Sequence, residues 1–133
     1  MLLDTNAFIW LSFGDPMDKE AVEAIGRAAA EAALVVSAVT FWEIGNLVRR
    51  RRIELYSPTD LWLAKATSNR QITVISLDAD IALAATELPG DFHRDPADRF
   101  LVATARALGV PIVTRDRAIL DYAASGHVRA LPC

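Results

Sequence analysis

The sequence predicts an α/β fold: a single domain over residues 1–133, with a central, mostly parallel sheet flanked by helices on both faces. Three observations predict it. Short runs rich in aliphatic and β-branched residues are continuously apolar rather than alternating, as in strands covered on both sides. Those runs take turns along the chain with longer stretches of helical pattern, the order that parallel strands and crossover helices produce. No internal repeat and no Pro/Gly/Ser-rich linker divides the chain.

The elements follow in order. Leu2-Leu3 is a very short first strand, and Asp18 to Ala33, rich in alanine and glutamate, is a helix with Asp18 as its N-cap. Leu34-Val35-Val36-Ser37 is the second strand. Thr40 to Arg51 reads as a helix because Phe41, Ile44 and Val48 share one face. Pro58-Thr59-Asp60 opens another helix, expected to carry Leu61 and Trp62 inward. Thr73-Val74-Ile75 is the third strand, and the helix from Asp78 to Leu88 stops before Pro89-Gly90. Pro96 suits the first position of a helix that runs to Gly109, a terminating glycine followed by Pro111. Ile112-Val113-Thr114 is the fourth strand, and residues His127 to Leu131 offer a last one.

Composition excludes several classes. Hydrophobic residues are 53% and charged residues 23%, which is incompatible with a disordered chain. A domain of 133 residues buries roughly two thirds of its unfolded surface and needs no disulfide. The lone cysteine, Cys133, has no partner in the chain, which fits a reducing compartment. No apolar stretch approaches the ~20 residues of a membrane span, and Met1-Leu2-Leu3-Asp4 lacks the basic start of a signal peptide, so a cytoplasmic protein is expected. The net charge of −3 argues, by itself, against non-specific binding to nucleic acid.

The positions of the acids say more than their number. Asp4 directly follows the first strand, Asp116 follows the fourth, and Glu43 falls in the first turn of the helix after the second. Ligands of open α/β sheets bind outside the carboxyl ends of the strands, so three carboxylates converge on one crevice. Asp98, in the first turn of the Pro96 helix, and Asp95, at its N-cap, join if that helix end faces the same way. Such a cluster repels itself unless protons or cations intervene, and it suits hard divalent ions bound through oxygen. Two such ions ~3.5–4 Å apart serve in-line phosphodiester displacement. For any single one of Asp4, Asp95 or Asp116, helix capping is the commoner role, and Asp98 would complement a helix dipole. Glu43 resists that reading, because Phe41, Trp42 and Ile44 around it suggest a mostly buried environment.

Leu2 to Asn6, Ser37 to Glu43 with Trp42-Glu43-Ile44, His93 to Ala105, and Val113 to Asp116 together resemble PIN domains, in particular the VapC toxins of bacterial VapBC toxin–antitoxin modules. The resemblance spans nearly the whole chain with the motifs in the family's order. It implies that Asp4, Glu43, Asp98 and Asp116 are the four acidic positions that hold Mg²⁺ or Mn²⁺ and carry catalysis. It selects Asp98, ahead of the Ala-x-Ala helix, over Asp95, which becomes an auxiliary ligand. Thr5 and Thr114 fall where the family often has a hydroxyl, and Asn6 completes the first motif as a supporting residue. The implied activity is endonucleolytic cleavage of RNA, the implied partners a VapB-type antitoxin and a second copy in a homodimer, with no membrane. Leaving those four acids aside, 13 of the 17 remain against 14 basic residues, so the charge balance ceases to oppose RNA.

Arg49-Arg50-Arg51-Arg52 is either a favourable helix C-terminus or a phosphate-contacting patch. Arg99 and Arg115, each beside a proposed ligand, either contact phosphate or, the safer expectation, pair with the acids. Trp10, Trp42 and Trp62 offer stacking surfaces for unpaired bases, although core packing is the commoner use, and His93 reads as a structural or exposed loop residue. Two other phosphoryl-transfer folds fail on residues. Asn6 replaces the second aspartate of haloacid-dehalogenase-type phosphatases, and the only lysines, Lys19 and Lys65, are misplaced for a response-regulator receiver. The remaining alternative is a non-catalytic binding module whose acids only cap helices.

Overall fold

The computed structural model describes residues 1–133. Five strands alternate with seven helices: β1 (Leu2–Leu3), α1 (Thr5–Phe13), α2 (Lys19–Ala30), β2 (Leu34–Ser37), α3 (Ala38–Arg49), α4 (Thr59–Ser68), β3 (Ile72–Ile75), α5 (Ala79–Thr86), α6 (Pro96–Leu108), β4 (Ile112–Thr114), α7 (Arg117–Ala124) and β5 (Ala130–Pro132). All strand pairs are parallel, in the order β3-β2-β1-β4-β5. The chain winds outward from β1 to β3, then returns to the other side of β1. That reversal is a topological switch point, and it opens a crevice at the carboxyl ends of β1 and β4.

Right-handed crossovers put the first half's helices on one face and the second half's on the other. The side chains follow the period of two. Leu3, Leu34, Val36 and Val113 pack with Phe8, Ile25, Ile44 and Trp62 beneath α1 to α4. Leu2 and Ile112, one residue out of phase, pack with Leu101, Val102, Ile119 and Tyr122 beneath α6 and α7.

Four helices begin on an aspartate whose carboxylate accepts backbone N–H groups of the first turn: Asp4 for α1, Asp78 for α5, Asp95 for α6 and Asp116 for α7. α6 ends on Gly109 at φ 64°, the left-handed conformation that closes a helix and that glycine adopts without cost.

The structure corrects several expectations. Two helices, α1 and α7, lie outside the elements expected from the sequence; α1 carries no amphipathic pattern because its sequence, Thr5 to Phe13, is apolar nearly all round. α3 starts two residues earlier than expected, on the hydroxyl cap of Ser37, so Glu43 lies in the second turn rather than the first. Leu61 is 60% exposed and only Trp62 turns inward, packed edge-on to Phe8 and Phe41. The last strand is shifted to Ala130–Pro132, where it registers with β4. No helix is long and apolar enough to cross a membrane.

Candidate metal centre

Asp4 occupies the turn between β1 and α1 and is 3% exposed. Its Oδ1 accepts the N–H of Ala7 at 2.6 Å, and its Oδ2 accepts the hydroxyl of Thr114. Thr114 ends β4, and the same hydroxyl oxygen accepts the N–H of Asp116 at 2.9 Å. One buried side chain therefore ties together the aspartates at two adjacent strand ends. Asp116 in turn caps α7 through Oδ1, which accepts the N–H of Ile119 at 3.0 Å. Capping and convergence are thus not rival roles: one carboxylate oxygen holds the helix end while the other is directed elsewhere.

Glu43 reaches the crevice from α3, where the Thr5 hydroxyl donates to its Oε2. Asp98 sits in the first turn of α6. Asp95, one turn earlier, accepts the N–H groups of Ala97 and Asp98 at 2.9 and 3.3 Å. Asp98 itself caps nothing.

The electrostatics follow from this crowding. Asp98 is pushed up to about 7, chiefly by burial and then by the negative charges of Asp116, Asp95, Glu43 and Asp4. Glu43 is raised by burial against the pull of its Thr5 hydrogen bond, with Asp95 and Asp4 adding repulsion. Burial also raises Asp4, opposed by the donors Thr114, Ala7 and Asn6. Burial and the neighbouring negative charges thus raise Asp4, Glu43 and Asp98 together, as expected of carboxylates that no cation neutralises.

His93, which the sequence suggests is a structural or exposed loop residue, stands against this cluster. Its Nδ1 accepts the N–H of Asp95 at 3.3 Å, so the neutral ring carries its proton on Nε2. That nitrogen is shielded from solvent, has no aligned hydrogen bond, and lies 3.3 Å from Oδ2 of Asp98. A ring nitrogen of His93 and carboxylate oxygens of Asp98 and Asp116 lie within 4.8 Å of one another. The signal in the sequence was position: His93 stands two residues before an N-cap aspartate on a short loop.

The arginines divide. Arg99 pairs with no acid; its guanidinium donates to the carbonyls of Ala85, Thr86, Phe92 and His93. That occupation removes it from the phosphate contacts considered for it. Arg115 also avoids the acids, donating through Nε to the carbonyl oxygen of Cys133 at 2.6 Å while its guanidinium lies over Trp10, 4.3 Å from the ring centre. In the Arg49–Arg52 run, the N–H groups of Arg51 and Arg52 close α3 on the carbonyls of Val48 and Leu47. Arg51 takes φ 54° to do so.

A cavity of about 360 Å³ adjoins the cluster, with Asn6, Trp42, Glu43, Asn46, Arg50 and Asp95 among its walls. Trp42 is 64% exposed there, so the indole does not supply the apolar surroundings expected around Glu43.

The sequence profile described as PIN domain matches residues 1–125. The chain is 32% identical over 123 residues to a protein of Mycobacterium tuberculosis named Ribonuclease VapC22, covering 92% of this chain and 91% of that protein. Its fold superposes on VapBC2 from Rickettsia felis bound to a DNA fragment from their promoter, with TM-score 0.71, 14% identity, and 98% and 96% of the two chains covered. It superposes likewise on a toxin–antitoxin complex from Klebsiella pneumoniae, with TM-score 0.58, 20% identity, and 89% and 88% covered.

Proposed function

The chain belongs to the PIN-domain family, and on that premise we propose that it is a divalent-metal-dependent endoribonuclease, the toxin of a toxin–antitoxin module, hydrolysing phosphodiester bonds of single-stranded or structured RNA. The observation that carries the reading is Asp98: a half-buried carboxylate that caps no helix, set among four other acids and pushed up to about 7 chiefly by burial and then by their charges. A module that used its acids only as caps would have no reason to assemble that charge.

The donor set fits the ion. Asp4, Glu43, Asp98 and Asp116 would hold Mg²⁺ or Mn²⁺, with Asp95 as an auxiliary ligand, because hard cations prefer carboxylate oxygen and a positive charge there relieves the repulsion among these groups. When bound, such an ion supplies Lewis-acid stabilisation of charge on the phosphodiester oxygens. The chain's own part is orientation. Thr5 fixes Glu43, and Thr114 fixes Asp4 together with the backbone of Asp116. Rigid placement of this kind lowers the reorganisation required when substrate arrives. Arg50, exposed on the cavity wall beyond Glu43, is the member of the arginine run suited to contact RNA phosphate.

The same reading makes a VapB-type antitoxin the inhibitor, a homodimer the working form, and the cytoplasm the place of action. The R. felis and K. pneumoniae structures, which hold antitoxin with toxin, support the first of these. The test is cleavage of an unpaired RNA by the purified chain with Mn²⁺. Cleavage should stop with EDTA and in Asp116→Asn; cleavage that survives both removes the assignment of these residues.

A further inference from the structure

The cavity beside Glu43 has a second wall that the carboxylates do not explain. Trp42, Asn46 and Arg50 recur every four residues, so they form one stripe along α3 over roughly 12 Å, and all three line the cavity. Trp42 is the most exposed large hydrophobic residue in the chain at 64%, whereas Trp62 is 2% exposed and Trp10 lies under Arg115. Asn46 accepts a long 3.5 Å contact from Arg49 on its Oδ1, which leaves its amide N–H groups free. Arg50 pairs with no acid, unlike Arg117 and Lys19, which do. An indole face, an amide donor and a free guanidinium in a row match the three parts of a nucleotide: base face, base edge and phosphate.

We propose that the Trp42–Asn46–Arg50 stripe is a subsite for one unpaired nucleotide next to the scissile bond, its base stacked on the Trp42 indole and the phosphate beyond it held by Arg50. This rests on the reading of the chain as a ribonuclease. The cavity is electrostatically polarised in the way such a substrate requires. Its Glu43 and Asp95 end borders the proposed metal ligands, where the reacting phosphate would sit, and its Arg50 end offers the only cation on the wall. Stacking on an indole needs a base free of its own helix, so the subsite selects unpaired over duplex RNA while remaining tolerant of sequence.

The experiment uses the full chain, with a short unpaired RNA bound in Ca²⁺ and cleaved in Mn²⁺. Trp42→Ala should weaken RNA binding roughly tenfold to a hundredfold, and Trp42→Phe should recover most of it. The loss should appear in KM more than in kcat, with Mn²⁺ affinity by calorimetry unchanged. An RNA carrying an abasic nucleotide at the stacked position should bind the native protein and Trp42→Ala equally weakly, because both lack the same contact. Arg50→Ala should reduce the salt dependence of binding by about one phosphate contact. If Trp42→Ala binds and cleaves like the native protein, the subsite is wrong and the ribonuclease reading stands. If the native protein neither binds nor cleaves RNA with Mn²⁺, the ribonuclease reading itself fails and takes the subsite with it. If iodide cannot quench Trp42 in the free protein until the chain is diluted to monomer, a second copy covers the indole and the proposal is overturned.

Discussion

The imidazole of His93 stands between a backbone and a carboxylate: Nδ1 accepts the N–H of Asp95, and Nε2 faces Oδ2 of Asp98 at 3.3 Å without an aligned hydrogen bond. Because Nδ1 is an acceptor, Nε2 is the donor side of the neutral ring and faces the Asp98 carboxylate as a positioning neighbour rather than as a ligand in its place. Groups that orient metal ligands in this way typically account for 10–100-fold in metal affinity. His93→Ala should therefore weaken Mn²⁺ binding within that range. His93→Gln, whose amide N–H can reach the same carboxylate, should restore part of it. Equal affinity in all three proteins by calorimetry would reduce His93 to packing against Phe92.

Asp98 gives the fold an unusual pH dependence. Its carboxyl titrates at about 7 in the folded chain against 3.8 for the ordinary group. Between those values the folded state binds more protons than the unfolded state, so stability falls as pH rises and the loss is complete above 7. In EDTA, the melting temperature should drop from pH 5 to pH 8. Asp98→Asn should flatten that slope and be the more stable protein at pH 8, since relief of buried repulsion exceeds the ~0.3–1 kcal/mol a first-turn carboxylate gains from the helix dipole. Mn²⁺ should stabilise the native chain at pH 8 and have far less effect on the variant.

Thr114→Val tests the link between the two strand ends. The swap keeps the shape of a fully buried side chain but leaves Asp4 Oδ2 without its donor and the Asp116 N–H without its acceptor. An unsatisfied buried group costs about 1–3 kcal/mol, so denaturant titration should show a loss of that order, and Thr114→Ser should recover it. Mn²⁺ affinity should fall in Thr114→Val even below the denaturation midpoint, since both aspartates lose their alignment.

What was legible in the sequence depended on whether local chemistry or tertiary contact decided the outcome. β2 and β4 lie where their β-branched runs end, and Gly109 closes α6, because those outcomes are set by backbone preference. The acids at the ends of β1 and β4 were readable for the same reason: parallel topology fixes where strand ends go. α1 was hidden because its residues are apolar on nearly every face, including the exposed Leu11, which erases the amphipathic period. The partners of Arg99 and Arg115 were also illegible. Proximity in sequence suggested the adjacent acids, but the free carbonyls came from α5, the loop before α6 and the end of β5, which only folding brings near.

Arg99 supplies the last prediction, because its geometry separates a structural arginine from a substrate-binding one. Ala85 and Thr86 are the final residues of α5, whose carbonyls have no partner within the helix. Arg99 Nε donates to the first at 2.7 Å and Nη2 to the second at 3.3 Å, while Nη1 donates to the carbonyls of Phe92 and His93 at 3.1 and 3.3 Å. It therefore caps one helix from another and pins the loop that carries His93. Hydrogen bonds from a charged donor contribute about 1.5–3 kcal/mol, and a loss of that size is expected for Arg99→Ala by chemical denaturation. Arg99→Lys should rescue little, since a single ammonium, with three donors, cannot serve four carbonyls. The salt dependence of RNA binding should stay as steep as in the native protein. A slope reduced by about one, as for loss of a phosphate contact, with stability unaltered, would instead place Arg99 on the substrate.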